Sequence, residues 1–199
     1  MNPADVAQSA LPMASADVSL IALFWQAHFV VKTVMLGLLA CSVWVWAIAI
    51  DKIFLHWSAG HYGQPFPDYH LNIDADGTII ASVDDLTITL SHTWHQNSGA
   101  VGVAILCCAF ANTTSLGDEP PTEAQIDMMA KVTAELCTGL GILCDFDHVR
   151  THAEQADLDG YGPATTCERW DLWFLSDGQA RGSGGNLIRT RAQTYMEVA

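Results

Sequence analysis

Basic side chains are scarce in this chain. Lys and Arg number 8 against 22 Asp and Glu, a formal charge of −14 over 199 residues. Such a surface repels phosphate backbones and argues against a nucleic-acid partner. Charge of either sign is also low, at 15%, while 50% of residues are hydrophobic, which excludes a disordered chain. No internal repeat is visible, so a solenoid or propeller is not expected. No C-x-x-C pair occurs, so the cysteine half of a closed structural zinc site is missing. The N-terminus lacks the basic n-region of a cleavable signal peptide. The length allows one ordinary domain and something small beside it.

Six cysteines are present. Cys107 and Cys108 are adjacent in one apolar run and Cys41 sits in another. These three read as buried free thiols, so cysteine usage leaves the redox compartment open.

The apolar excess lies in the first quarter. Residues 33–50, TVMLGLLACSVWVWAIAI, carry no charge and approach the roughly 20 residues that span a bilayer. The apolar character extends upstream past Lys32, which can snorkel, and Trp44 and Trp46 suit an interfacial belt. An N-terminal transmembrane helix within residues 20–50 is therefore expected. Lys32 against Lys52 gives almost no positive-inside bias. Residues 15–52 resemble the first transmembrane helix of TolQ, the proton-channel subunit of the Tol–Pal envelope system. That resemblance implies a C-terminal side in the cytoplasm; it does not extend to motor function, because the later spans of that family do not follow. The expected organisation is a tail and membrane helix over 1–52 and a globular domain over 53–199.

The globular part reads as α/β, with a mixed central sheet flanked by helices. IFLH (53–56) is a short strand ending in histidine. YHLNI (69–73) and TIIASV (78–83) flank Asp-Ala-Asp-Gly and form a hairpin. AVGVAILCCAF (100–110) suits a central strand buried on both faces. Thr122 and Gln125 make a capping box before a helical stripe from Ile126 to Leu140, ended by Gly139 and Gly141. Residues 148–154, HVRTHAE, read as a strand entering a loop, and 170–175 as a short helix.

Eight histidines in an acidic chain raise the question of a metal. His56 and His152 end two expected strands, and Cys167 follows in a loop. Two imidazoles and a thiolate leave a fourth tetrahedral position for water, the layout of a catalytic zinc. Asp171 is the reserve for the third ligand, or a helix N-cap; Asp157 and Asp159 are weaker reserves. His92 and His95 are candidates to line the cleft. Alternation turns His70 away from the face of Tyr69.

The local sequence around these residues is more specific. IFLHWSAG (53–60), YHLNIDADGT (69–78), Asn97-Ser98 before the apolar strand, PTEAQ (121–125), THAE (151–154) and TTC (165–167) occur in this order. The series resembles the zinc-dependent N-acetylmuramoyl-L-alanine amidases, a superfamily with phage lysozymes and peptidoglycan-recognition proteins. It covers residues 53 to about 175. The resemblance implies zinc ligands at His56, His152 and Cys167, a tyrosine at Tyr69 that contacts the zinc-bound water or the developing oxyanion, and at Thr165 the polar residue two before the third ligand. Glu154 would orient His152 or shuttle a proton, unless it is structural. Glu168 stands where the family usually has proline after the third ligand.

The resemblance thus implies a peptidoglycan hydrolase that uses Zn²⁺ and takes peptidoglycan or muropeptides as its partner. A non-catalytic peptidoglycan-binding module is the alternative, and a membrane protein of the Tol system a third reading. The expected place is the bacterial inner membrane with the domain in the periplasm, where peptidoglycan lies; the TolQ-like orientation points instead to the cytoplasm.

Overall fold

A computed structural model describes residues 20–47 and 50–198. The chain divides into two units at Trp46–Ala47.

In the first unit the expected single span is two helices, α1 (Leu20–Gln26) and α2 (Phe29–Ala47). The break falls at Ala27–His28. There the Lys32 ammonium donates to the Trp25 carbonyl at 3.0 Å, satisfying one free acceptor at the end of α1. Among the described residues no helix is long and apolar enough to cross a membrane, and the expected transmembrane helix of residues 20–50 reaches beyond them. Ile48, Ala49 and the start of the TolQ-like segment lie outside the described residues, as do the side chains of Trp44 and Trp46. Cys41, expected to be buried, is exposed.

The second unit is the expected α/β domain. Its five-stranded sheet has the order β3-β2-β4-β1-β5. The strands are β1 (Lys52–Trp57), β2 (Leu71–Ile73), β3 (Ile79–Ala81), β4 (Ala100–Ile105) and β5 (Val149–Thr151). β1 runs parallel to β4 and β5, β2 parallel to β4, and only the β2–β3 hairpin is antiparallel. Every residue of β4 is buried, as its unbroken apolar run implies.

Alternation along β1 divides the sheet into two faces. Ile53, Leu55 and Trp57 join Val101, Val103 and Ile105 of β4 in one core. That core is closed by Ile126, Met129 and Ala130 of α3 (Glu123–Leu140) and by Ile188 and Ala192 of α5 (Gly184–Val198). Thr122 and Gln125 form the expected capping box, and Gly141 caps the other end with φ 69°. Phe54 and His56 therefore face the opposite side, where Phe54 meets His92 with ring centroids 6.0 Å apart. Gly102 makes room for this: a Cβ there would stand 2.7 Å from the His92 ring.

The 148–154 stretch differs from expectation. β5 stops at Thr151 and α4 (His152–Leu158) begins at once, with Thr151 as N-cap and Glu154 completing a capping box. Residues 170–175 form turns instead of a helix, with Leu172 at φ 59°. Cys107 and Cys108 are buried and free, as read from the sequence.

Candidate metal centre

The parallel register of β1 and β5 brings two histidines level. Leu55 pairs with Thr151, so the next residues along, His56 and His152, emerge side by side at the carboxyl ends of adjacent strands. That edge of a parallel sheet is where ligands bind in α/β folds. The two rings lie 4.9 Å apart between centroids. Asp171 comes from the turn region that follows and joins them. His56 Nδ1 lies 3.0 Å from its Oδ2, and His152 Nδ1 3.2 Å from its Oδ1. One donor atom from each of the three lies within 4.8 Å of the others, so the group could hold a metal ion. His56 is fully buried, and His152 Nε2 is buried without a hydrogen-bond partner.

The electrostatics suit such a role. Burial holds the His56 imidazole below its ordinary range, although Asp171 pulls the other way, so it is neutral near pH 7. Burial alone would raise the Asp171 carboxyl. His152 and His56 outweigh that and hold it well below the usual carboxylate range. A neutral imidazole and an ionised carboxylate are the forms that ligate metals.

Tyr69 stands in the loop before β2 with its ring 5.0 Å from His56. Burial and then the Asp171 charge push its phenol upward, so it keeps its proton. A cleft of about 430 Å³ lies over the group, lined by Tyr69, Phe110, His152, Arg169, Trp170 and Asp171 among others. A second, of about 590 Å³, shares His152 and Arg169 and includes His92, Thr93, Trp94 and His95. His92 and His95 thus line a cleft, as proposed from the sequence. His92 is pushed down to about 3 by burial, then by His56 and His70. His70 is turned to structure: its Nδ1 accepts from Gly102 N–H at 2.9 Å, and its Nε2 donates to the Ile88 carbonyl at 2.8 Å.

Three expected site residues are not brought to this group. Cys167 is exposed and lies outside it; Asp171, the reserve, occupies the third place. Thr165 is exposed and donates its hydroxyl to the Gly162 carbonyl at 3.0 Å. Glu154 caps α4 and forms a two-pronged ion pair with Arg189, both contacts 2.8 Å, which is the structural role. Asp157 accepts from Ala164 N–H, and Asp159 from Gln155 Nε2.

Two residues that the sequence reading did not single out do belong here. Arg169 lines both clefts. It stands two residues before Asp171, the spacing that had been assigned to Thr165 and Cys167. Thr93 Oγ1 lies 3.5 Å from His56 Nε2 and 3.0 Å from His92 Nδ1.

Among solved structures, the chain is similar to the N-acetylmuramoyl-L-alanine amidase LysC from Clostridium intestinale URNW, with 19% identity and a TM-score of 0.41, over 54% of this chain and 72% of that one. The Ph2119 endolysin from a Thermus scotoductus MAT2119 bacteriophage has 12% identity and a TM-score of 0.47, over 72% and 85%. Drosophila peptidoglycan recognition protein SD has 11% identity and a TM-score of 0.39, over 52% and 69%. No curated protein matches the chain. A family model for N-acetylmuramoyl-L-alanine amidase matches residues 47–169, which is more than half of the sequence, and the chain belongs to that family.

Proposed function

We propose that the protein is a zinc-dependent hydrolase that cleaves the amide between the lactyl group of N-acetylmuramic acid and the L-alanine of the stem peptide. The observation that carries this reading is the buried His56–His152–Asp171 group beneath a cleft, in a chain of the amidase family. Two imidazoles and one carboxylate are a donor set of catalytic zinc sites, which keep a position open. Zinc, when bound, supplies Lewis acidity that polarises the scissile carbonyl and makes water acidic near neutral pH.

The chain's own residues supply the rest. Tyr69 stays protonated and donates a hydrogen bond to the oxygen where negative charge develops. Arg169 offers a guanidinium from the cleft wall to the same charge. With zinc held by His56, His152 and Asp171, the His56 nitrogen left free would be Nε2, which lies 3.5 Å from Thr93 Oγ1 and would direct its proton there. Thr93 in turn donates to His92 Nδ1, so the tautomer of His56 is fixed.

A module that binds peptidoglycan without cutting it is the second reading. A complete third donor at Asp171 favours catalysis, because a binding module has no use for it. We further propose the periplasm as the place of action, since peptidoglycan lies there; alkaline phosphatase fused after Ala199 would be active there and inactive in the cytoplasm. Digestion of purified muropeptides with mass analysis tests the function. Release of free stem peptide beginning with L-alanine supports it. Intact muropeptide that co-elutes with the protein supports the binding module instead.

A further inference from the structure

Beyond Ile105 the chain of β4 runs through Leu106 to two adjacent cysteines, Cys107 and Cys108. In an extended chain, neighbouring side chains point to opposite faces. Cys108 breaks that alternation: its φ is 69°, in the left-handed region that non-glycine residues rarely enter. The two thiols are brought together, and one donates to the other with the sulfurs 3.3 Å apart. The backbone on either side is pinned. Cys107 N–H donates to Ser58 Oγ at 3.2 Å and Cys108 N–H to the Glu119 carbonyl at 2.7 Å. The Cys108 carbonyl accepts from Ala111 N–H at 3.1 Å. Both side chains are buried, but their surroundings differ. Cys108 belongs to the wall of the cleft of about 430 Å³ over the metal group, and Cys107 does not. Neither is a member of that group. Backbone held in an uncommon conformation beside a cleft is a feature of functional positions.

We propose that Cys107 and Cys108 are a vicinal dithiol that closes to a disulfide, a redox modification site in the wall of the cleft. The oxidant is hydrogen peroxide, a molecule small enough to reach a buried thiol from the cleft. The Cys108 sulfur attacks one peroxide oxygen and the O–O bond breaks. The expelled hydroxide takes the Cys108 proton and leaves as water, and Cys108 becomes a sulfenic acid. The Cys107 sulfur then attacks Cys108 Sγ and breaks its S–O bond. The hydroxide expelled there takes the Cys107 proton and leaves as a second water. Two thiols and one peroxide become one disulfide and two waters. Burial, then the neighbouring Cys108 thiol, pushes the Cys107 thiol up, so it keeps its proton and acts second.

The disulfide bears on the cleft. Bond formation draws the sulfurs closer than 3.3 Å, and the Cys108 backbone moves with them. Two residues on stands Phe110, 87% exposed and at φ 58°, which lines the same cleft. Oxidation therefore shifts the loop that presents Phe110 to an occupant of the cleft. The inference does not rest on the proposed hydrolysis.

The test uses the full chain and hydrogen peroxide. Cleavage after Lys52 and Lys131 gives a peptide, 53–131, that holds these two cysteines and no other. From the reduced protein, unfolded and alkylated before cleavage, this peptide should carry two alkyl groups. From native protein treated with peroxide it should carry none, and a thiol reductant should return both. Cys107→Ser should leave a sulfenic acid on Cys108 that dimedone captures, and Cys108→Ser should leave Cys107 a free thiol. The proposal is overturned if the peptide from the treated wild type still takes up alkyl groups. It is equally overturned if the reductant does not return both thiols, or if the peptide is found joined to another through a disulfide. The wild-type measurement decides even if a variant does not fold.

Discussion

Asp171 takes the third place in the metal group, and Cys167 lies outside it. Asp171→Ala should therefore lower zinc affinity far more than Cys167→Ser, read by competition with a chromogenic chelator. Thr93 acts one step further out: Thr93→Val should cost about tenfold to hundredfold in zinc affinity, the scale for losing a partner of a metal-bound histidine. Thr93→Ser should restore it, which a purely packing role would not do. Protonation supplies a further prediction for the metal-free protein. The imidazole of His92 has its pKa lowered from 6.5 to about 3 by burial in the fold. The unfolded chain then binds more protons than the native one between these values. Stability is fully present above about pH 6.5 and falls as pH drops towards 3. Thermal melts across that range should show the fall, and a flat profile would mean that His92 is not held neutral. His56, His152 and Tyr69 were legible because each sits in a short motif beside a strand. The third member of the group was legible only as the reserve, Asp171, because its position depends on a turn region whose backbone cannot be read from residue type. Cys167, Arg169 and Leu172 all take positive φ, 63°, 47° and 59°, where non-glycine residues are uncommon. That path carries Cys167 outward while Asp171 enters the site.

Among the elements, α4 and α5 depend on one ion pair. Arg189 of α5 donates to both carboxylate oxygens of Glu154 in α4 and to the Val149 carbonyl at the start of β5. Both side chains are largely buried, at 8% and 14% exposed. Arg189→Ala should destabilise by about 3–5 kcal/mol, since it leaves a buried carboxylate unpaired. Urea titration followed by circular dichroism checks this. Glu154→Gln should likewise lower stability while leaving the zinc content of the folded protein unchanged; loss of zinc from a folded variant would return Glu154 to the metal site. Element type was readable wherever the hydrophobic period was long, as in α3 and β4. It failed at 148–154 because three strand residues and a helix start share seven positions, and the apolar pattern of so short a strand has no period of its own. The capping box Thr151–Glu154 was the available signal, the same T-x-x-E/Q pattern that marked α3.

The whole molecule divides at Trp46–Ala47, and among the described residues the sheet, α3 and α5 share a core whose members run from Ile50 onward. A fragment of residues 50–199 should accordingly fold cooperatively and keep its activity. A broad or absent melting transition in that fragment would show that the first unit contributes to the core. The central claim concerns the metal and the reaction together. The most direct measurement is zinc content by elemental analysis of the wild type and Asp171→Ala, with muropeptide products weighed for the same samples. The account predicts one zinc per wild-type chain and stem peptides released at L-alanine, with zinc and release both lost in Asp171→Ala while the circular dichroism spectrum is kept. Hydrolysis by metal-free protein, or a folded Asp171→Ala that keeps its zinc and its activity, would contradict it.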